Sequence, residues 1–321
     1  MEKTLNPLLI FLVVFISWIS LGSGSIDVNV LNGLWDWLYS INNKDALIIG
    51  EIRLPRTLLA LVVGAAMGLS GAALQGLLRN PLVDPGLIGA SQGAALGAAC
   101  VFYFNLFSGL GALATPLAGL IGAAITLFIL LGLSGSIVRP SIIIMAGLAL
   151  SMFTGALLAM VLNFAPNPYA MQELVFWLLG SVSNRGLDNL LVLLPAFLIG
   201  GGIIWSQRRL LMGLSLGDQV AESMGLQVSR GSRFIILGTA MLVGSAVAVA
   251  GNIGFVGLLV KYRPDKLLLP SALAGAIVVC AADILVRLLP PGRELKLGVL
   301  TAVVGAPFFI WLIWKERQRW L

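Results

Sequence analysis

Residues 51–97 read EIRLPRTLLALVVGAAMGLSGAALQGLLRNPLVDPGLIGASQGAALG, and this stretch decides the fold class. Arg53 and Arg56 open it, and a run without charge then continues to Leu78. A polar, proline-bounded break at 79–85 separates this run from a second apolar run that is rich in glycine. An apolar run of about 20 residues is long enough to cross a bilayer as a helix. The stretch therefore predicts two membrane helices joined by a tight loop.

The composition extends this prediction to the whole chain. Of its 321 residues, 59% are hydrophobic and only 11% are charged, and the mean hydropathy is +1.00. Ordinary soluble domains carry about 25% charged residues. We therefore expect an all-α polytopic membrane protein that forms a single transmembrane domain over residues 1–321. The net charge of +6 is spread over segment ends, which is typical of a topology signal and not of nucleic-acid binding.

Ten apolar runs are predicted to form membrane helices. A further run at 173–180 is too short to span, so it is expected to lie near the interface or to fold into the protein. The N-terminal run resembles a signal peptide, but no clear small-x-small cleavage site follows it, and a retained first helix is expected. The ten predicted helices cover about residues 7–21, 53–78, 86–104, 116–133, 141–164, 189–205, 234–250, 255–260 with flanking residues, 267–289 and 297–314.

The distribution of Lys and Arg predicts the orientation in the membrane. With ten spans both termini share one side, and that side carries thirteen of the twenty cationic residues against seven on the other. Because cytoplasmic loops are enriched in Lys and Arg, both termini and the polar insertion at 207–233 are predicted to be cytoplasmic. Arg53 and Arg56 then face outward.

The sequence lacks the residues that most classes of catalytic site require. Histidine is absent, which excludes imidazole metal ligands, imidazole proton relays and His-based catalytic triads. No phosphate-binding P-loop motif, HExxH motif, GxSxG elbow or Cys/His cluster occurs. Cys100 and Cys280 lie within apolar runs and are expected to be buried. No catalytic site, metal site or cofactor is therefore predicted.

Asp283 is the candidate for ion-coupled transport. A carrier driven by protons or sodium usually has an ionisable group deep in the bilayer. Asp283 precedes Arg287 by four residues, so the two side chains can pair on one helix face. A local ion pair is favoured over a proton site. An ion-coupled secondary transporter that uses Asp283 stays as the alternative from another class, and the gate-like loops disfavour a passive channel.

Both ends of the predicted bundle carry polar features that suit partner proteins. An outward rim of Arg53, Arg56, Arg287 and Arg293 could hold an acidic partner or an anionic substrate, or could simply anchor helix ends. The insertion at 207–233 could dock a motor protein or could be a plain connecting loop. Its amphipathic middle, which has glycines at both ends, favours the docking interpretation.

Several motifs, taken in order, resemble one known family. The stretch quoted above is followed by IIIMAGLALS, LSLGDQVAESMGL, GNIGFVGLLV and ELKLGVLTAVVGAPFFIWL. From about Leu8 to Trp314 the chain resembles the FecCD-type permeases, which are the membrane subunits of ABC importers for ferric siderophores, haem and vitamin B12. The resemblance implies ten membrane helices per subunit, in agreement with the ten runs above. It also implies a multi-pass protein of the bacterial cytoplasmic (inner) membrane.

The resemblance further implies several partners. The permease would form a homodimer, or would pair with a related permease, with the translocation pathway at the subunit interface. Two cytoplasmic ABC ATPase subunits would dock below it, and a periplasmic or lipid-anchored substrate-binding protein would dock above it. ATP hydrolysis would then reside in a separate partner subunit, and this chain would not itself be an enzyme.

Site residues are carried over from the family position by position. Arg53, Arg56 and Arg287 match arginines that, in a vitamin B12 permease of the family, meet acidic residues of the binding protein. Asn80 and Leu82 match the loop that forms part of the cytoplasmic gate. The implied ATPase coupling segment comprises Leu214, Ser215, Leu216, Gly217, Asp218, Val220, Ala221, Glu222, Met224, Gly225 and Leu226.

Two segments depart from the family pattern, and the substrate stays open. The residues Lys261–Lys266 replace a Pro-His pair and a longer loop. The region at 138–140 also differs, so that only Ser141 is carried over to the gate between the fourth and fifth helices. A siderophore, haem or corrinoid chelate is compatible with the sequence, and so is an oxyanion such as molybdate.

Overall fold

The chain folds into a bundle of helices. The computed structural model describes residues 2–41, 43–104, 107–135, 140–165, 167–258, 268–289 and 295–317, and every regular element in these ranges is helical. This confirms the predicted all-α class. Seven helical segments of the described ranges are long and apolar enough to cross a membrane: Lys44–Leu78, Ala114–Ser134, Pro140–Asn163, Asp188–Ser206, Val228–Ala250, Leu268–Arg287 and Leu297–Lys315.

Most predicted helices agree with the structure to within a few residues. In chain order the described α-helices are α1 Glu2–Gly22, α2 Val30–Leu38, α3 Lys44–Leu47, α4 Leu54–Leu78, α5 Ala90–Phe104, α6 Ala114–Ser134, α7 Pro140–Asn163, α8 Pro168–Leu178, α9 Asp188–Ser206, α10 Arg208–Leu214, α11 Asp218–Ser223, α12 Val228–Ala250, α13 Leu268–Arg287 and α14 Leu297–Arg317. A π-helical turn at Ile48–Arg53 joins α3 to α4, and short 3-10 turns lie at Pro85–Ile88, Ser108–Leu113 and Val256–Leu258.

Helix α12 begins earlier than predicted. It starts at Val228 instead of residue 234, so the polar insertion predicted at 207–233 is shorter than expected and consists mainly of α10 and α11. The first turns of α12 are polar in sequence, but Gly231 is buried against the side chain of Leu210 and Ser232 is also buried. One side of this end of the helix packs against α10, and Arg230 and Arg233 lie on its exposed side, so the polar residues belong to the helix and did not mark a boundary. Helix α8 likewise begins before residue 173, which was its predicted start.

The prediction of an eighth membrane helix is wrong for the residues that the structure describes. After α12 ends at Ala250, residues 251–254 are not helical, and only the 3-10 turn Val256–Leu258 follows. Gly251 has a φ of 73°, and a side chain there would overlap the carbonyl oxygen of Trp177. Glycine alone tolerates both constraints at little cost, so the helix ends here. The atypical loop Lys261–Lys266 lies outside the described residues.

Helices α4 and α12 form the centre of the bundle. Most of their residues are buried, including Val63, Leu74, Ile236 and Val247. Helices α7, α9 and α14 instead leave large apolar side chains uncovered, such as Met152, which is 70% exposed. Exposed apolar faces of this size require a nonpolar environment, which for a multi-pass membrane protein is lipid or another membrane subunit.

Small residues bring α4 and α13 into close contact. A methyl group at Gly64 would overlap the carbonyl oxygen of Gly275, and one at Gly68 would overlap that of Ser271. The predicted series Gly64/Gly68 therefore marks a real helix interface, as small residues often do in membranes. This interface fixes the start of α4 against the end of α13, where the predicted arginines lie.

Candidate functional site at the two ends of helix α4

The start of α4 meets the ends of α1 and α13, and the three predicted arginines converge there. Pro55 occupies the first turn of α4. A backbone N–H at this position has no intrahelical partner, so proline costs the helix no hydrogen bond. The hydroxyls of Ser20 on α1 and Thr57 on α4 are 2.7 Å apart and both are buried. This contact holds the end of α1 beside the first turn of α4.

Arg53 is buried and binds backbone carbonyls. Its side chain is 4% exposed, and its Nη1 donates to the carbonyl oxygens of Leu21 at 2.8 Å and Gly22 at 3.0 Å. Its Nη2 donates to the carbonyl oxygen of Ile26. The last carbonyls of a helix lack intrahelical partners and carry partial negative charge, so a cation here stabilises the end of α1. This position suits anchoring of a helix end, the second of the two interpretations that the sequence left open.

Asp283 on α13 lies between two guanidinium groups. Arg56 donates from Nε to both carboxylate oxygens, at 3.0 and 3.1 Å, and from Nη2 to Oδ1 at 2.8 Å. Arg287 donates from Nε to Oδ2 at 2.9 Å, and its Nη2 also contacts Asp283. The side chain of Asp283 is 2% exposed, compared with 19% for Arg56 and 7% for Arg287. The predicted pairing of Asp283 with Arg287 is therefore confirmed.

This arrangement does not favour a role for Asp283 as the ion-binding residue of an ion-coupled carrier. Both oxygens of the carboxylate accept hydrogen bonds from arginines within the protein, so an ion would have to displace a guanidinium group to bind there. Sequence reasoning missed Arg56 as a partner because it lies 227 residues from Asp283. The fourth predicted rim residue, Arg293, lies outside the described residues.

The other end of α4 is closed by a compact polar loop. Arg79 caps the helix in the left-handed conformation, with a φ of 51°. The Oδ1 of Asn80 accepts from the backbone N–H of Leu82 at 2.9 Å, which fixes the turn that holds both predicted gate residues. Gln75, one turn before the end of the helix, donates to the carbonyl oxygen of Gly257 at 3.0 Å. The loop is thus linked to the non-helical segment that follows α12.

Asp84 also joins this loop to the segment after α12, and sequence reasoning did not single it out. Its Oδ1 accepts from the backbone N–H of Gly86 at 2.8 Å, and the backbone N–H of Phe255 donates to the same carboxylate. Burial raises the pKa of Asp84, because the charged form loses its hydration, and the two N–H donors only partly offset this effect. In the sequence, Asp84 was marked only as a carboxylate directly before Pro85, in a polar loop that also contains Pro81.

Ser141 lies on the first turn of α7 with its side chain exposed. The loop that follows α4 and holds the predicted gate residues, residues 79–89, is called the gate loop below. Its contact with α7 is made further along that helix, where Gly147 and Leu150 lie against Gly89. Ser141 is therefore not brought against Asn80 or Leu82 by any of these contacts.

The predicted coupling segment forms two short helices and their turns. Leu214 and Ala221 are buried, and the side chain of Leu226 packs near Gly213. In contrast, Leu216 is 65% exposed, Val220 41% and Met224 60%. The other predicted members have exposed or turn positions: Ser215, Asp218 and Glu222 are exposed, and Gly217 and Gly225 have φ angles of 112° and 79°. The segment is amphipathic, as predicted, with one apolar face turned outward.

One ion pair links the loop at the end of α4 to the coupling segment. Nη2 of Arg79 lies 3.0 Å from Oδ2 of Asp218, the first residue of α11. The gate-loop end of α4 and the coupling segment are therefore in direct contact. Among the described residues, no group of three or more Cys, Asp or Glu side chains is placed to hold a metal ion.

Comparison with known proteins extends these observations to the whole chain. The model of the FecCD transport family matches residues 10–315. The hemin transport system permease protein HmuU of Yersinia pestis is 36% identical over 339 residues, which cover 99% of both chains. The vitamin B12 import system permease protein BtuC of Salmonella typhi is 36% identical over 299 residues, covering 88% of this chain and 87% of its own. A solved metal-chelate type ABC transporter in an inward-facing conformation superposes with a TM-score of 0.83 at 31% identity, over 98% of this chain and 100% of that one. The chain is thus a multi-pass membrane protein that belongs to the FecCD transport family.

Proposed function

We propose that the protein is the membrane permease of a binding-protein-dependent ABC importer for a metal chelate. Helix α4, whose 25 residues span about 37 Å, carries the proposal because both candidate surfaces lie at its ends. The arginine cluster is at its start, and the gate loop and coupling segment are at its end. A helix with a protein-facing surface at each end suits a subunit that transmits a signal between partners on the two sides of a membrane.

At the outer surface, a substrate-binding protein would dock on the arginine cluster. Of the three predicted docking residues, Arg56 is the most exposed, and Arg53 and Arg287 are largely buried. We therefore assign direct contact with an acidic partner residue to Arg56. Arg53 and Arg287 would support this surface by holding the end of α1 in place.

At the inner surface, two ATPase subunits would dock on the coupling segments of a permease dimer. The exposed apolar side chains of Leu216, Val220 and Met224 suit insertion into a groove of an ATPase. Nucleotide-driven movement of this segment would reach the end of α4 through Arg79 and Asp218. Asn80, Leu82 and Ser141 would then contribute to an inner gate, and substrate would pass by alternating access.

This assignment includes cytoplasmic termini in the bacterial inner membrane and ten membrane helices within one permease domain, one of which must be a segment other than residues 255–260. It also includes a homodimer, which the exposed apolar faces of α7 and α14 support. The chelate would be a ferric siderophore, haem or a corrinoid, since the relatives are named for hemin and vitamin B12. An oxyanion such as molybdate is the alternative cargo, and identifying the ligand that co-purifies with the cognate binding protein distinguishes them.

Reconstitution tests the proposal. In liposomes that contain the permease and its cognate ATPase, addition of binding protein and ATP should drive uptake, and omission of either partner should abolish it. Uptake driven by an imposed ion gradient without the ATPase would contradict the proposal and would favour a secondary carrier.

The two docking surfaces can be tested separately. Met224→Asp should weaken ATPase association, because a charge would replace an apolar contact. Gln227→Asp is a matched control, since the same charge is added at the exposed N-cap of α12, where it suits the helix dipole. Arg56→Glu should weaken binding-protein affinity and make the remaining affinity less sensitive to salt. An unchanged affinity at every salt concentration would remove the docking role of Arg56.

A further inference from the structure

The guanidinium of Arg56 is held by one edge only. Asp283 takes the edge formed by Nε and Nη2, at 2.8–3.1 Å. For the opposite edge, at Nη1, the structure shows no acceptor among the described residues. Since a guanidinium has five N–H donors in a rigid plane, a second carboxylate can bind that edge without displacing the first.

Arg287 has no comparable edge to offer. Its Nη1 donates to the carbonyl oxygens of Ser20 at 2.8 Å and Ser23 at 3.3 Å. Its Nη2 donates to the hydroxyl of Ser20 at 3.1 Å, and its Nε to Asp283. All three nitrogens are thus used inside the protein, and the side chain ties α13 to the end of α1.

Asp283 is in turn fixed by its surroundings. It is almost wholly buried, and Arg287 holds it from the next turn of the same helix. The close packing of α4 on α13 through Gly64 and Gly275 sets the distance between Arg56 and Asp283. The carboxylate is therefore a rigid support for a side chain that would otherwise sample many rotamers.

We propose that Asp283 is a positioning residue of the docking surface. It orients the guanidinium of Arg56 so that the Nη1 edge faces an incoming carboxylate of an acidic partner protein. This inference rests on the proposed function, in which Arg56 meets such a partner. Asp283 thus assists binding of an acidic partner, although it carries the same sign of charge as that partner.

The sign of one substitution separates this proposal from simple electrostatics. Asp283→Asn raises the local charge of the cluster by one unit, so long-range attraction alone predicts tighter binding of an acidic partner. Loss of orientation predicts the opposite, because Arg56 must then be immobilised upon binding. We expect the dissociation constant to rise about three- to tenfold, mainly through faster dissociation. Asp283→Glu, which retains the carboxylate, should recover part of this loss.

The experiment is a double-mutant cycle on the permease–ATPase complex in nanodiscs, with the cognate binding protein as the probe. The variants are Arg56→Gln, Asp283→Asn and their combination, and binding kinetics are measured over a range of salt concentrations. If Asp283 acts through Arg56, Asp283→Asn should have little effect once Arg56 is replaced. Where Asp283→Asn does not fold, Asp283→Glu replaces it in the same cycle.

The outcomes distinguish the two levels of the proposal. Unchanged binding by Arg56→Gln overturns the docking role itself. Weaker binding by Arg56→Gln together with unchanged or tighter binding by the Asp283 variant overturns only the positioning role. A loss from the Asp283 variant that persists in full without Arg56 also overturns it, since a general structural defect would produce that pattern.

Discussion

Arg79 and Asp218 join the end of α4 to the first residue of α11, with 3.0 Å between Nη2 and Oδ2. Both side chains are substantially exposed, at 40% and 49%. An ion pair this exposed typically contributes only about 0–1 kcal/mol to stability. In the proposed function, its position between the gate loop and the coupling segment would allow it to transmit movement between them.

Asp218→Asn should therefore reduce transport per ATP hydrolysed while leaving the stability of the permease nearly unchanged. The measurement is uptake and ATP hydrolysis in the same proteoliposomes, with thermal unfolding in detergent as the stability check. Glu222→Gln is the matched control, because Glu222 is an exposed acid on the same short helix for which the described residues provide no ion pair. An equal loss of coupling in both variants would show that charge on α11, and not the contact with Arg79, matters.

Arg53→Met should destabilise the permease even though the substitution removes a cation next to a membrane helix. It leaves the carbonyl oxygens of Leu21, Gly22 and Ile26 without their donor, and we expect a loss of roughly 3 kcal/mol in the free energy of unfolding. Lys44→Met is the control, since Lys44 is exposed and its replacement should change stability by about 0.5 kcal/mol or less. Denaturant unfolding in micelles measures both, and equal stability of the two variants would contradict the anchoring role of Arg53.

Gly64→Val should separate α4 from α13 and disturb the arginine cluster. The new side chain would overlap the backbone at Gly275, which cannot move without shifting the whole helix. We expect the free energy of unfolding to fall by about 1–3 kcal/mol, as overpacking usually causes. The affinity for the binding protein should also weaken. Gly132→Val on α6 is the comparison, because Gly132 is exposed and its Cβ would meet open space. Normal binding by Gly64→Val would show that the close approach of α4 and α13 is not needed for partner binding at the arginine cluster.

Asp84 gives a prediction about pH. Its pKa is raised in the folded protein, so the folded state binds a proton more readily than the unfolded chain. Stability should then be lowest when the carboxyl is charged, and should rise as the pH falls through the raised pKa towards the ordinary value of about 3.9. Asp84→Asn should flatten this dependence, because an amide cannot ionise in this range.

Asp84→Asn and Asp84→Ala form a matched pair. Asn retains an acceptor for the N–H groups of Gly86 and Phe255, so its stability at neutral pH should equal or exceed that of the unaltered protein. Ala leaves both donors unpaired and should lower the free energy of unfolding by about 1–3 kcal/mol. The measurement is unfolding in detergent from neutral pH down to about pH 4. Equal stability of the two variants would show that water replaces the carboxylate at this position.

The sequence by itself determined the membrane class, most helix positions and the pairing of Asp283 with Arg287. Long apolar runs can be satisfied in lipid only as helices, and residues four apart on a helix are neighbours regardless of the rest of the fold. The tertiary structure alone decided that Arg56 and Arg287 both bind Asp283, and that Arg53 is buried against the end of α1. It also decided that α12 ends before residues 251–254, beside Trp177. These features depend on which helix ends meet, and that is set by close packing of small residues between segments far apart in the chain. The local sequence pattern therefore identified the candidate site residues, and tertiary packing decided which of their side chains are exposed and which are buried.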